Sequence, residues 1–140
     1  MAHRFPVAVL RWATPAVAAA LSGVATTSCN DSPTAPSAPA VATFQVGNES
    51  FRVLLKTEAQ VQGAEAAQGG GQARIPVGRI VTGTDVNTGW TWHLENVTFA
   101  QVTIELCDGI PSDVEKAGTA FGNGQYCPWS ARVTSIQTMD

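Results

Sequence analysis

The sequence predicts a small single α+β domain, a predominantly antiparallel sheet with two short helices over residues 43–140, behind an export signal at 1–28 and a tether at 29–42. Three observations predict it. Short segments alternate apolar and polar residues between glycine-containing turns, the pattern of half-buried strands. Two capping-box patterns, Thr57 to Gln60 and Ser112 to Glu115, mark helix starts. The chain opens with a basic head (Arg4, Arg11), an apolar run at 13–25 too short to span a bilayer, and small residues before Cys29, the plan of a cleaved targeting segment.

Taken in order, Thr27-Ser28-Cys29 reads as a lipoprotein cleavage site with lipid on the Cys29 thiol. Thr26 stands where Leu, Val or Ile is usual three residues before the cysteine. The rival is plain secretory cleavage near Ala38-Pro39-Ala40, which would remove Cys29 with the signal. Between Cys29 and Ala40 there is no large apolar residue, and Pro33, Pro36 and Pro39 stiffen the backbone towards an extended path. Such a segment cannot bury enough surface to offset its ordering entropy, so it reads as a stalk.

Residues 43–46 and 50–55 read as strands joined at Gly47-Asn48. Thr57 opens a helix through Ala59, Val61, Ala64, Ala66 and Ala67, stopped by Gly69-Gly70-Gly71. That glycine run lacks phosphate-loop spacing and reads as a linker. Residues 75–82 read as a buried strand interrupted at Gly78, followed by a loop at 83–89. Residues 90–94 alternate, with Trp90, Trp92 and Leu94 on one face and Thr91 and His93 on the other.

Residues 102–107 alternate in the same way: Val102, Ile104 and Leu106 against Thr103, Glu105 and Cys107. An antiparallel pair folding back near Phe99 would set Trp92 opposite Leu106 and His93 opposite Glu105. Residues 95–101 read equally as a loop or a further short strand. After the Gly109-Ile110-Pro111 turn, the second helix ends before Gly118. Then come a turn at Gly122-Asn123-Gly124, a Cys127-Pro128-Trp129 corner and a closing strand at 131–137.

Once Cys29 carries lipid, Cys107 and Cys127 remain. In an oxidising compartment two such cysteines tend to pair; the alternative is two buried free thiols. There is no CxxC, and His93 is the single histidine beyond the signal, so neither zinc spacing nor a cofactor motif is expected. Removing 1–28 takes two arginines and no acid, leaving six basic and eleven acidic residues and a net charge of −5 against −3 for the whole chain. That balance argues against nucleic acid and anionic headgroups as partners.

His93 with Glu105 or Asp108 is the one set with acid–base potential. It lacks a nucleophile: Ser130 is the nearest by motif, and neither GxSxG nor HExxH occurs. The sequence therefore favours a structural His93–Glu105 cross-strand pair, with Asp108 accepting backbone hydrogen bonds in the turn before the second helix. Trp92 reads as core. Trp90, Trp129, Tyr126 and Asp85 are the candidates for a recognition surface built on loops.

The expected function is a non-catalytic binding module, lipid-anchored in the cell envelope or otherwise secreted, for an unknown protein, peptide or carbohydrate ligand. The alternatives are a small extracytoplasmic hydrolase using His93 with Glu105 or Asp108, and a secreted protease inhibitor using 118–125 as its exposed loop.

The order Gly78-Arg79-Ile80-Val81-x-Gly83, Asn87-x-Gly89-Trp90-x-Trp92-His93-Leu94, Ile104-Glu105-Leu106-Cys107-Asp108, a Val114-Glu115 helix and Cys127-Pro128-Trp129-Ser130 resembles the BP-seventy-four N-terminal-domain family. The resemblance runs from about Phe44 to Ile136. The family's Asp-Pro at the start of its first helix is replaced here by Thr57-Glu58. The resemblance implies an exported location and the extent of the domain. It implies no reaction.

Overall fold

A hairpin organises the first sheet. Gly47 takes a positive φ of 60°, as the first central residue of a two-residue turn can with no Cβ. This joins β1 (Ala40–Val46) to β2 (Glu49–Leu55) in antiparallel register. The computed structural model describes residues 36–69 and 75–140. The segment at 1–28 expected to be a signal, Cys29 and the glycines at 70 and 71 lie outside the described residues.

Alternation then works as expected. Ala40, Ala42, Phe44 and Val46 of β1 and Phe51, Val53 and Leu55 of β2 point into the core. The closing strand β6 (Arg132–Thr138) pairs with the other side of β1, giving the order β2-β1-β6. The ordered sheet starts at Ala40, so the end of the segment expected as tether contributes Ala40 and Ala42 to the core.

Thr57 caps α1 (Glu58–Gln68), and Gln60 completes the capping box by reaching back to the Thr57 backbone. Val61 and Ala64 are its buried face. The second sheet has β3 (Ile75–Thr82) at its centre, with β4 (Trp92–Ala100) on one side and β5 (Gln125–Tyr126) on the other. Its register shifts between Val77 and Arg79, so Gly78 sits at a bulge, as the interrupted pattern suggests. A Cβ at Gly78 would lie 2.9 Å from Leu94 Cβ, so the close approach of the strands requires glycine.

Aromatic rings join the two sheets. Phe44 stacks on Phe51 at 5.2 Å, Phe51 meets Tyr126 edge-on at 5.3 Å, and Tyr126 meets Trp92 edge-on at 5.6 Å. Each buried large ring stabilises the fold by on the order of 1.5–3 kcal/mol through burial, plus about 0.5–1.5 kcal/mol per well-placed pair.

The expected α+β class, antiparallel pairing and two helices are all present, divided between two three-stranded sheets. Residues 102–107 are the main correction. They form no strand: 102–104 are irregular and Glu105–Cys107 is a single 3₁₀ turn. The physical reason is the missing reversal. The chain does not fold back near Phe99: β4 runs on to Ala100 through the segment left open between loop and strand, paired with β3 to its end, so 102–107 leaves the strand instead of returning along it. Trp92 accordingly lies opposite Thr82 and His93 opposite Val81, not Leu106 and Glu105.

The second helix, α2 (Pro111–Ala117), ends before Gly118 as expected but begins one residue before Ser112, with Pro111 in its first turn. Ile110 is the N-cap, and its N–H donates to Asp113 Oδ2 at 3.3 Å. The Ser112 N–H is instead held by Glu49 Oε2 at 2.8 Å.

Candidate functional site

The expected acid–base set does not assemble. His93 Nδ1 lies 2.6 Å from the Gly83 carbonyl oxygen, and Nε2 lies 3.8 Å from Glu95 Oε1. Glu95 in turn pairs with Arg79 across the β3–β4 ladder. Glu105 stands exposed on the 3₁₀ turn, away from the strand position expected of it. Asp108 Oδ1 accepts the Trp129 N–H at 2.8 Å, so it fixes the Cys-Pro-Trp corner rather than the turn before α2. Ser130 is exposed, with no hydrogen bond to His93 among the described residues. Also among the described residues, no group of three or more His, Cys, Asp or Glu side chains is placed to hold a metal ion.

Carboxylates here act mainly as clamps on backbone N–H groups. Glu115 takes the Thr91 N–H and hydroxyl at 3.0 and 2.9 Å, and Glu58 takes the Ala38 N–H at 2.9 Å. With Glu49 on Ser112 and Asp108 on Trp129, four acids join segments distant in sequence. Charge-assisted bonds of this kind are about twice as strong as neutral ones.

The loop from Gly83 to Thr91 is also structural. Asn87 is fully buried, the one buried polar side chain among the described residues. Its Oδ1 accepts the Arg52 N–H of β2 at 2.7 Å, and its Nδ2 donates to the Trp92 carbonyl of β4 at 2.9 Å. Trp90 Nε1 donates to the Ser50 carbonyl of β2 at 2.8 Å. The loop thus covers the outer edge of β2 and ties it to β4. This locks Trp90, half-buried against Trp92 with centroids 6.0 Å apart, into the scaffold. Asp85 is exposed with a positive φ of 45° at the loop tip.

Tyr126 is a correction to the expected surface: it is fully buried in the aromatic cluster. It follows from the pairing of β5 with β3, which turns the ring inward, where its hydroxyl donates to the Gly109 carbonyl at 3.1 Å. Burial first, then the Asp108, Glu49 and Asp113 charges, pushes its phenol far above the ordinary value. The fold therefore keeps the proton, whereas the unfolded chain loses it near the ordinary value of 10.0, so stability is intact below that pH and falls above it. Tyr126 is the single tyrosine in the chain. Its phenolate absorbance should therefore emerge only with cooperative alkaline unfolding, and Tyr126→Phe should flatten the alkaline decline. A gradual phenolate titration in the folded protein near the ordinary pKa would contradict the burial.

Residues 118–125 form no free loop. Phe121 packs edge-on against Tyr126 at 5.9 Å, and Gly122 lies so close to Cys107 that a Cβ there would come within 2.9 Å of the Cys107 Cα. An inhibitor's protruding loop is not offered at this position.

What the sequence reading missed is an apolar ridge. Val102 is 84% exposed, Ile104 61%, Leu106 57%, Trp129 46% and Ile110 40%. Five of the six strongly exposed large apolar side chains among the described residues thus lie on two neighbouring segments, the sixth being Met139. Cys107 and Cys127 are bonded as expected, with Cα atoms 5.1 Å apart, and the Cys127 N–H donates to the Cys107 carbonyl at 2.8 Å. The Ile104 carbonyl oxygen lies 3.4 Å from Cys107 Sγ and 3.5 Å from Cys127 Sγ. The disulfide therefore fastens the Ile104–Leu106 side of the ridge to the Trp129 side. The sequence signal was present as the 102–107 alternation, but it carried the opposite meaning.

The family model described as the BP-seventy-four N-terminal domain matches residues 38–140. No curated protein and no solved structure matches the chain.

Proposed function

The chain belongs to the BP-seventy-four N-terminal-domain family, and from that premise we propose that it is a non-catalytic binding module working outside the cytoplasm, lipid-anchored to the envelope through Cys29 or secreted. One observation carries the reading: an exposed apolar ridge on a disulfide-fastened segment. Leaving Val102, Ile104, Leu106 and Trp129 in water costs solvation free energy, and contiguous exposed apolar surface marks interaction sites. An exposed Trp together with exposed aliphatic side chains on a linked segment is also the composition of an interface core. The ridge's large apolar side chains suit the apolar strip of a protein or peptide partner, and exposed Glu105 and Ser130 supply polar groups beside them. His93, engaged with Gly83 and Glu95, supports binding over hydrolysis.

A photo-crosslinking residue at Leu106 tests this in intact cells. It should give a discrete adduct that a residue at Gln68, exposed on α1, does not give. Adding Trp129→Ala should reduce the adduct several-fold, since truncating a central anchor costs on the order of 2 kcal/mol of binding. Equal labelling from both positions removes the reading.

A further inference from the structure

A second surface, separate from the ridge, is a groove of about 630 Å3 between α1 and the second half of β4. That volume is in the range of small-molecule sites. Its lining contains no charged side chain: apart from Gly63, Val97, Phe99 and two alanines, it consists of Thr57, Gln60, Gln62, Asn96 and Thr98. Two of these five are already occupied. Thr57 caps α1, while Gln60 Oε1 accepts the Lys56 N–H at 2.6 Å and its Nε2 donates to the Val97 carbonyl at 2.9 Å. The Gln62, Asn96 and Thr98 side chains have no hydrogen-bond partner among the described residues.

The groove follows from local backbone geometry. The register shift at Gly78 leaves Asn96 and Val97 together opposite it, and Asn96 takes a positive φ of 52°. Bulges of this kind re-aim side chains, and asparagine tolerates the left-handed region better than most residues. The helix side of the groove is Ala59, Gly63 and Ala66, and the Phe99 ring packs directly on Gly63.

We propose that this groove binds a neutral saccharide. A charged ligand finds no counter-charge in the lining. A purely apolar ligand would leave three amide and hydroxyl groups without partners, at a cost for each of about 1–3 kcal/mol where they are desolvated. An added peptide strand is disfavoured because Gln60 already occupies the Val97 carbonyl and Phe99 closes the approach at Gly63. A polyhydroxyl ring supplies donors and acceptors without charge, and its apolar face fits the alanine side. No acid–base pair lines the groove, and the proposal is one of binding alone.

The test is amide-resonance mapping of the purified protein titrated with chitotriose, cellotriose and maltotriose, with trigalacturonate as the charged control. At least one neutral trisaccharide should shift the amides of Gln62, Asn96 and Thr98 and leave those of Val102, Ile104 and Leu106 in place. Asn96→Ala with Gln62→Ala should weaken binding about tenfold, the equivalent of about 1.4 kcal/mol. Ala66→Trp, at an exposed helix position, should block it with the fold's spectrum retained. No response to any neutral sugar, shifts confined to the ridge, or equal binding of trigalacturonate overturns the proposal.

Discussion

Replacing Asn87 with leucine should remove about 2–4 kcal/mol of stability: the buried Trp92 carbonyl loses its partner at about 1–3 kcal/mol, and the part-buried Arg52 N–H loses its partner at the lower end of that range. A domain of this size has a total stability of on the order of 5–15 kcal/mol, so the substitution threatens folding at physiological temperature. The cause is specific. Arg52 pairs with Thr43 across the hairpin, yet its N–H is held by Asn87 Oδ1 on the other side of β2. The Trp92 carbonyl is likewise held by Asn87 Nδ2. Leucine keeps the same branched heavy-atom skeleton, is bulkier, and has neither hydrogen-bonding function.

Asn87→Asp separates the two bonds. It keeps the acceptor for Arg52, loses the donor to Trp92 and buries a charge, so it should be at least as damaging. Urea unfolding of the two variants beside the parent gives the measurement. A midpoint change equivalent to less than about 1 kcal/mol for Asn87→Leu would show that water replaces the side chain at both partners, and that the loop does not hold the sheets together. The same variants expose the edge of β2, so concentration-dependent aggregation should accompany the loss.

The hairpin, the first helix and the interruption of β3 at Gly78 were legible because each rests on local chemistry. Gly47-Asn48 supplies the turn, Thr57 and Gln60 satisfy the first N–H groups of α1, and Gly78 is the residue that lets β3 and β4 approach closely. The 102–107 segment failed for a non-local reason. Its period-2 alternation is the same whether the apolar side chains face a core or a solvent-exposed ridge; only whether the chain reverses near Phe99 or continues along β3 to Ala100 decides between them. Tyr126 failed similarly. Proximity to the Cys-Pro corner suggested a surface loop, but pairing with Gly78 at β3 turned it inward. Asn87 carried a signal, its place in the Asn87-x-Gly89-Trp90 motif. Its role required knowing that one loop residue reaches both β2 and β4. The α1–β4 groove had no sequence signal, because its walls meet only after the two sheets pack.

Removing the Cys107–Cys127 bond should cost about 3 kcal/mol, the loop-closure entropy returned to the unfolded chain by a crosslink of this span; the two cysteines are 20 residues apart. Both are essentially fully buried, so reductant acts slowly on the native protein and the comparison is best made by refolding under reducing and oxidising conditions. A Cys107→Ala, Cys127→Ala variant removes the bond without burying a new hydroxyl. Three contacts still hold the neighbourhood when the bond is absent: Cys127 to Cys107 through the backbone, Trp129 to Asp108, and Tyr126 to Gly109. The domain should therefore fold with reduced stability, while residues 104–108 exchange their amide protons faster than the strands do. Ridge binding should weaken with it, because a loosened Ile104–Leu106 segment must be ordered again against the partner. An unchanged denaturation midpoint after reduction would mean that the packing of Gly122 against Cys107 and of Phe121 against Tyr126 alone fixes this corner. The ridge would then owe its shape to the aromatic cluster rather than to the crosslink.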